Sequence, residues 1–391
     1  MGIVEKLAKK MGRLGTETAF EVLAKAKKLE QAGKEIVHLE IGEPDFDTPE
    51  NIIEAGVKAL KGGYTHYGPS AGLPILRETI SQYINETRGI KTTPEMVVVT
   101  PGAKPIMFFA MLAFLDSGDE VIYPNPGFPI YESTIRFNDA VPVPMPFIED
   151  GGFKFDVSKL ESAVTKRTKM IIINSPQNPI GCVFTREEIK EIARVAKKHD
   201  LIVLSDEVYS NLIYDGEFYS IASEEGMMER TIILDGFSKT YAMTGWRVGF
   251  GVMQKEIADY FAKLQTNSNS CTASFSQIAC VEAYKGPQDG ANVMKRKFKE
   301  RRDLIVEGLN SIKGFKCPRP AGAFYVFPDI RGTGKTSRFL EDYFLNTAGV
   351  ACLSGTAFGA NGEGYIRFSY ANSPENIEKA IKRMKEAVKN L

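Results

Sequence analysis

From about residue 90 onward, short apolar runs alternate with longer segments in which apolar positions recur at helical spacing. This alternation predicts a parallel β-sheet with crossover helices. The strand candidates are MVVVT (96–100), EVIYP (120–124), KMIIINSP (169–176), LIVLSDE (201–207), RTIILDG (230–236) and RVGFGVM (247–253). Several are apolar throughout instead of alternating, the pattern of strands covered on both faces. REEIKEIARVAKKH (186–199) carries its charges on one side and follows Thr185, a fitting N-cap, so it reads as one of the crossover helices.

After about residue 290 the pattern changes. NVMKRKFKERRDLIVEGLNSI (292–312) reads as one long amphipathic helix, followed by a strand in GAFYVFPDI (322–330), a helix near 336–346 and a closing helix in SPENIEKAIKRMKEAVKNL (373–391). We expect an α/β chain whose larger unit spans 49–290 and binds a cofactor. A smaller α+β unit is expected over 291–391, joined by the arm 1–48 through KEIVHLEIGEPDF. The length of 391 residues suits two or three compact units. No internal repeat or low-complexity tract interrupts them.

Composition narrows the function class. Hydrophobic residues make up 43% and charged residues 25%, as in ordinary globular proteins. Lys plus Arg and Asp plus Glu balance at 49 each, so no global field favours nucleic acid or an anionic membrane, and a small-molecule partner is expected. Five cysteines form no C-x-x-C pair, and their odd number argues against a secreted disulfide framework. The start MGIVEKLAKKMGRLG lacks an apolar signal core, Lys6 spoils a myristoylation pattern, and no stretch reaches the roughly 20 apolar residues of a membrane span. We therefore expect a soluble, cytoplasmic protein without a metal site.

In open α/β sheets ligands gather outside the carboxyl ends of the strands. The residues just past the apolar runs are Gly102-Ala103-Lys104, Asn125 to Phe128, Asn174 to Gly181, Asp206 with Tyr209, and Ser238-Lys239. Singly, each is accounted for by a turn or a helix cap. Jointly they offer a chemistry. A desolvated lysine with cationic neighbours has a lowered pKa and can form a Schiff base with an aldehyde. Arg247 and the backbone N–H groups of 102–104, at a helix N-terminus, can hold a phosphate. Asp206 could hold a protonated pyridine nitrogen, which makes pyridoxal phosphate an electron sink. Tyr209 and Asn178 could bond the ring hydroxyl, and Phe128 could stack on the ring.

The segment SKTYAMTGWRVG (238–249) resembles the cofactor-lysine motif of class I aminotransferases, the fold type I pyridoxal-phosphate enzymes. The likeness extends through IGEPDFDTP (41–49), YGPSAGLPILRETI (67–80), NSPQNPIG (174–181), SDEVY (205–209) and YIRFSYA (365–371), in the family's order. It implies a large domain with a mostly parallel seven-stranded sheet covered by helices, and a smaller domain built from both termini. It also implies pyridoxal 5'-phosphate as cofactor and an amino acid:2-oxo acid aminotransferase of aspartate, alanine or broad type. That enzyme would work by a ping-pong route, with 2-oxoglutarate as acceptor.

The resemblance implies the site residues too. Lys239 would carry the cofactor and move the substrate proton, and Asp206 would pair the pyridine nitrogen. Tyr209 and Asn178 would bond the ring oxygen, and Phe128 would stack on the ring. Gly102, Ala103, Lys104, Ser238 and Arg247 would surround the phosphate. Tyr67, five residues before Gly72, would reach the phosphate of the other subunit of a homodimer with shared active sites. Arg367 would grip the substrate carboxylate, beside Asn178, Phe128 and Gly42, and Trp246 would serve packing. Side-chain selection is expected from 16–20, 42, 128 and 265–275.

Three features qualify this reading. Phenylalanine stands at 128 where aspartate-specific members often have tryptophan, and NPIG replaces the commoner NPTG. The segment 263–288 contains no arginine to read a distal carboxylate. Pyridoxal-phosphate C–S lyases and related synthases share most of these motifs and form the alternative. FYVFPDIRGTGKTSRFLEDYF (324–344) imitates a P-loop, the remote nucleotide-binding alternative. Yet Asp329 occupies the position where G-x-x-x-x-G-K-[ST] needs glycine, and a surface turn is the better reading.

Overall fold

The computed structural model describes residues 2–148 and 154–391. Its strands are β1 (Val37–His38), β2 (Val97–Thr100), β3 (Glu120–Tyr123), β4 (Val141–Pro144), β5 (Phe147–Ile148), β6 (Lys154–Phe155), β7 (Thr168–Asn174), β8 (Ile202–Asp206), β9 (Thr231–Gly236), β10 (Gly249–Val252), β11 (Tyr325–Val326), β12 (Val350–Ala351), β13 (Leu353–Ser354) and β14 (Ile366–Ser369). Seven of them form the main sheet in the order β2-β10-β9-β8-β7-β3-β4. It is parallel except for β10, which runs antiparallel to both its neighbours.

The continuous apolar runs are explained by burial on two faces. In β7, Ile171 and Ile173 enter one hydrophobic cluster while Met170 and Ile172 enter another on the opposite face. In β2, Val98 is separated from Val97 and Val99 in the same way. Each such side chain contributes roughly 1.5–3 kcal/mol on burial. The helix Arg186–Lys198 has the expected Thr185 cap. The threonine hydroxyl accepts from the Glu188 N–H, and the Glu188 carboxylate accepts from the Thr185 N–H, a capping box.

Two strand expectations change. The seventh strand, β4, is VPVP, and its two prolines hide it from a propensity reading. They are tolerated because it pairs only with β3 at the sheet edge, where a missing N–H costs no ladder bond. Conversely, GAFYVFPDI supplies only the two residues of β11, since Ala323 sits at a left-handed φ of 58° and Pro328 follows. The long helix runs Asp289–Asn310, and the helix expected near 336–346 is Ser337–Tyr343 continued by a π-turn over Phe344–Ala348.

β11, β14 and β13 make a small antiparallel sheet, and β1 pairs in parallel with β12. The apolar cluster beside them takes Val37 and Leu39 from the N-terminal segment together with Phe298, Ile305, Phe324, Phe368 and Ile377. Both ends of the chain therefore share one core. The chain between β9 and β10 matters most for function. It leaves the sheet at Gly236 and returns antiparallel at Gly249, directly opposite, so Lys239 and Arg247 emerge at the same sheet edge.

Candidate active site

At the carboxyl edge of the main sheet, between it and the small sheet, lies a cavity of about 330 Å³. Ala103, Lys104, Phe128, Asn178, Asp206, Tyr209, Ser238, Lys239, Arg247, Gly42 and Arg367 all line it. Residues more than 300 positions apart in sequence thus face one space. Two expected residues are not in its lining. Gly102 lies just behind the wall, and Tyr67 stands apart, 92% exposed.

The Lys239 Nζ donates to the Gly42 carbonyl at 2.6 Å. Burial pulls its pKa down to about 8; the Arg367 and Lys104 cations push the same way, and Glu43 opposes them. Asp206, ending β8, shows the opposite effect of the same surroundings. Burial raises its pKa to about 6, against a 2.6 Å hydrogen bond from the Tyr131 hydroxyl and a 3.3 Å bond from the Val208 N–H. Lys239 and Asp206 are therefore a readily deprotonated amine and a desolvated carboxylate in one cavity.

Gly102 explains the corner of the cavity at the helix Lys104–Phe114. Its φ is 80°, and a Cβ there would come within 2.2 Å of Arg247 Nη2. A Cβ on Gly249 would meet the Ala103 nitrogen at 2.3 Å. Only glycines let the 102–104 turn, the first turn of that helix and the Arg247 guanidinium close on one another. Arg247 itself has a left-handed φ of 54°, is exposed, and donates to the Thr244 carbonyl at 2.8 Å. Among the described residues it makes no ion pair, so its charge is open to an anion.

On the far wall Arg367 is 4% exposed. It donates to the Glu40 carbonyl and, at 3.3 Å, to Asn178 Oδ1, while its Nε has no partner among the described residues. Its guanidinium carbon lies 4.6 Å from the Tyr325 ring centre and 4.9 Å from that of Phe358. A buried cation with an unused donor in an aromatic setting has the chemistry to take up a carboxylate.

The sequence profile named "Aminotransferase class I and II" matches residues 34–384. The chain belongs to this family. An aspartate aminotransferase of Pyrococcus abyssi is 42% identical, over 91% of this chain and 92% of that one. Aromatic-amino-acid aminotransferase 2 of Thermococcus litoralis is 40% identical, over 92% and 94%. The solved structure of an aspartate aminotransferase from Thermus thermophilus with maleate matches with a TM-score of 0.93 at 37% identity, covering 97% of this chain and 99% of that one. This aminotransferase, like its family, uses pyridoxal 5'-phosphate.

Parts of the aminotransferase site escape a reading of the sequence. Tyr131, which holds Asp206, and Tyr325, whose hydroxyl is 2.7 Å from that of Tyr209, both line the cavity. Phe358 does as well, and the pairing of Lys104 with Glu17, a residue of the expected 16–20 segment, escapes that reading too. The only signal for Tyr131 is its place three residues after Phe128. Residues 265–275, expected to help select side chains, stand away from the cavity within this chain. None of those residues lines the cavity, and Ala273 instead faces a neighbouring groove with Trp246. Residues 17 to 20, by contrast, do line it. The P-loop imitation folds as a turn with Gly334 at a φ of 69°, and its Thr336 hydroxyl caps the next helix by accepting from the Phe339 N–H. Trp246 donates to Thr48 at 3.0 Å, in keeping with packing. No helix is long and apolar enough to cross a membrane among the described residues.

Proposed function

We propose that this aminotransferase moves the amino group of a range of L-amino acids, acidic and aromatic ones included, to 2-oxoglutarate by a ping-pong route. The observation that carries the reading is the pairing of Lys239, an amine with a pKa of about 8, with the aromatic-lined, incompletely bonded Arg367 in one cavity. When bound, pyridoxal phosphate supplies an electron sink for the pair of electrons left at the substrate Cα.

The cavity's donor set fits that cofactor. The glycine-lined corner at 102–104 with Ser238 and Arg247 suits its phosphate, the buried Asp206 its ring nitrogen, Tyr209 and Asn178 its ring oxygen, and Phe128 its face. Lys239 would tether it, and the Lys239 amine would carry the proton at the substrate Cα. Arg367 orients the carboxylate of both amino and oxo acid, with Asn178 and Gly42 beside it. Tyr131 keeps Asp206 Oδ2 aligned.

The breadth of substrate rests on the remaining wall. Phe20, Met107, Leu353 and Phe358 are apolar, and the one side-wall cation, Lys104, is paired with Glu17. An apolar side chain packs against the former, and an acidic one takes Lys104 from Glu17. The names of the relatives, aspartate and aromatic, span the same range. A panel of amino donors with 2-oxoglutarate or pyruvate tests this. Transfer from both aspartate and phenylalanine is expected. Release of ammonia and pyruvate with no oxo acid present would overturn it in favour of a lyase.

We further propose a cytoplasmic homodimer in which Tyr67 serves the partner's phosphate site, with 49–290 as cofactor domain and 1–48 with 291–391 as the smaller one. Tyr67 follows closely in sequence on further exposed apolar side chains, Val57, Leu60 and Tyr64, and the five cysteines are unpaired. An active monomer in light scattering would refute the shared site.

A further inference from the structure

We propose that Tyr325 is a positioning residue that ties the cofactor side of the site to its carboxylate side. The proposal rests on the roles assigned to Tyr209 and Arg367 and adds a residue to them.

Tyr325 reaches the cavity from β11 of the small sheet and is 1% exposed. A buried phenol must find a hydrogen-bond partner or lose the free energy of its desolvation. Its partner is the Tyr209 hydroxyl at 2.7 Å, and the two rings meet edge to face with centres 5.7 Å apart. Each phenol has one proton and two lone pairs, so when one donates to the other, the acceptor's own proton points onward to a third group. Tyr325 therefore limits the Tyr209 proton to two directions, onward to a third group when Tyr325 donates or back to Tyr325 when Tyr209 donates.

The same ring meets Arg367. With the guanidinium carbon 4.6 Å from the Tyr325 ring centre, the ring face compensates part of the hydration the buried cation has lost. One side chain thus orients the group assigned to the ring oxygen by its hydroxyl and the group assigned to the substrate carboxylate by its ring. The charged groups that face the two phenols are Asp206, Arg367 and Glu17, together with the Lys239 amine 5.9 Å from the Tyr209 ring centre.

Room for this arrangement comes from Gly42. A Cβ there would fall 2.2 Å from the Tyr325 hydroxyl oxygen, and the Gly42 carbonyl already accepts from Lys239. The bare backbone at 42 lets the phenol and the lysine amine share one side of the cavity. Packing alone would be satisfied by phenylalanine at 325, so the hydroxyl and the ring can be tested separately.

The test compares Tyr325→Phe and Tyr325→Leu with the unaltered holoenzyme. Three quantities are measured: the pH midpoint of the bound cofactor's absorbance, the dissociation constant for succinate as a non-reactive carboxylate, and the thermal midpoint. Tyr325→Phe is expected to move the absorbance midpoint by about half a pH unit or more, with succinate affinity within about twofold. Tyr325→Leu is expected to weaken succinate binding about tenfold in addition. A Tyr325→Phe enzyme that titrates as the unaltered one does overturns the proposal, and so does a Tyr325→Leu enzyme with unchanged succinate affinity. An unaltered enzyme that shows no cofactor band at all overturns the reading of the site, and this proposal with it.

Discussion

Two groups of charge meet where β8 and β9 end, and they are treated in opposite ways. Behind the cavity, Arg88 donates to Glu207 at 2.8 Å, to Asp235 at 3.1 Å and to Ser210 at 2.9 Å. Glu207 also accepts from Ser205 and Ser220, and Asp235 accepts from the Gly236 N–H. In the cavity, among the described residues, Arg367 Nε has no hydrogen-bond partner, and the Lys239 amine donates to a backbone carbonyl, that of Gly42. Asp206 and Glu207 are consecutive, and Asp235 precedes Lys239 by four residues. The contrast is one of hydrogen bonding. The inner cluster pairs its arginine with two carboxylates and a serine, even though burial raises the Asp235 pKa to about 8. The outer one leaves an arginine donor unused among the described residues, as the proposed ligand-binding role requires.

The largest expected effect breaks the inner cluster. Arg88→Met leaves Glu207 and Asp235 buried without their cation and should cost about 3–5 kcal/mol of unfolding free energy, read by denaturant titration. A loss under about 1 kcal/mol would mean that the cluster is not closed. In the outer cluster, Arg367→Ala should lower kcat/KM about 100-fold, mainly through a higher KM for both amino and oxo acid, with little change in stability.

A third change sharpens the comparison by sign. Because the folded Asp206 has its pKa raised to about 6, its contribution to stability is complete below the unfolded value and is lost as pH rises through about 6. The cofactor-free Asp206→Asn protein should therefore be more stable than the unaltered one at pH 8, by roughly 1–3 kcal/mol, and the gap should close below about pH 4. Asp206→Asn should impair transamination all the same. The smallest effect concerns Lys239. With its pKa lowered to about 8, the neutral amine becomes the major form above that pH. Cofactor uptake by the stripped protein, followed by absorbance, should accelerate up to about pH 8 and then level off.

Much of this arrangement is legible along the chain. Continuous apolar runs announce strands buried on both faces, and the polar residues that follow them converge because every parallel strand ends at the same edge. Asp206, Asn178 and Lys239 can be grouped on that ground alone. Arg367 is harder to find, since it enters from the small sheet, and only resemblance singles it out. Tyr131 and Tyr325 are silent in the sequence because an aromatic residue in an apolar stretch looks like core until its hydroxyl partner is known. β4 is hidden by its prolines, and the pairing of Lys104 with Glu17 depends on how the N-terminal segment crosses the cavity.

The most direct test is to fix the cofactor on the loaded enzyme with borohydride, digest the protein and locate the added mass. The reading of this cavity predicts the mass of the reduced pyridoxal phosphate on the peptide bearing Lys239 and on no other. A label on a different lysine, or no stable label, would contradict it.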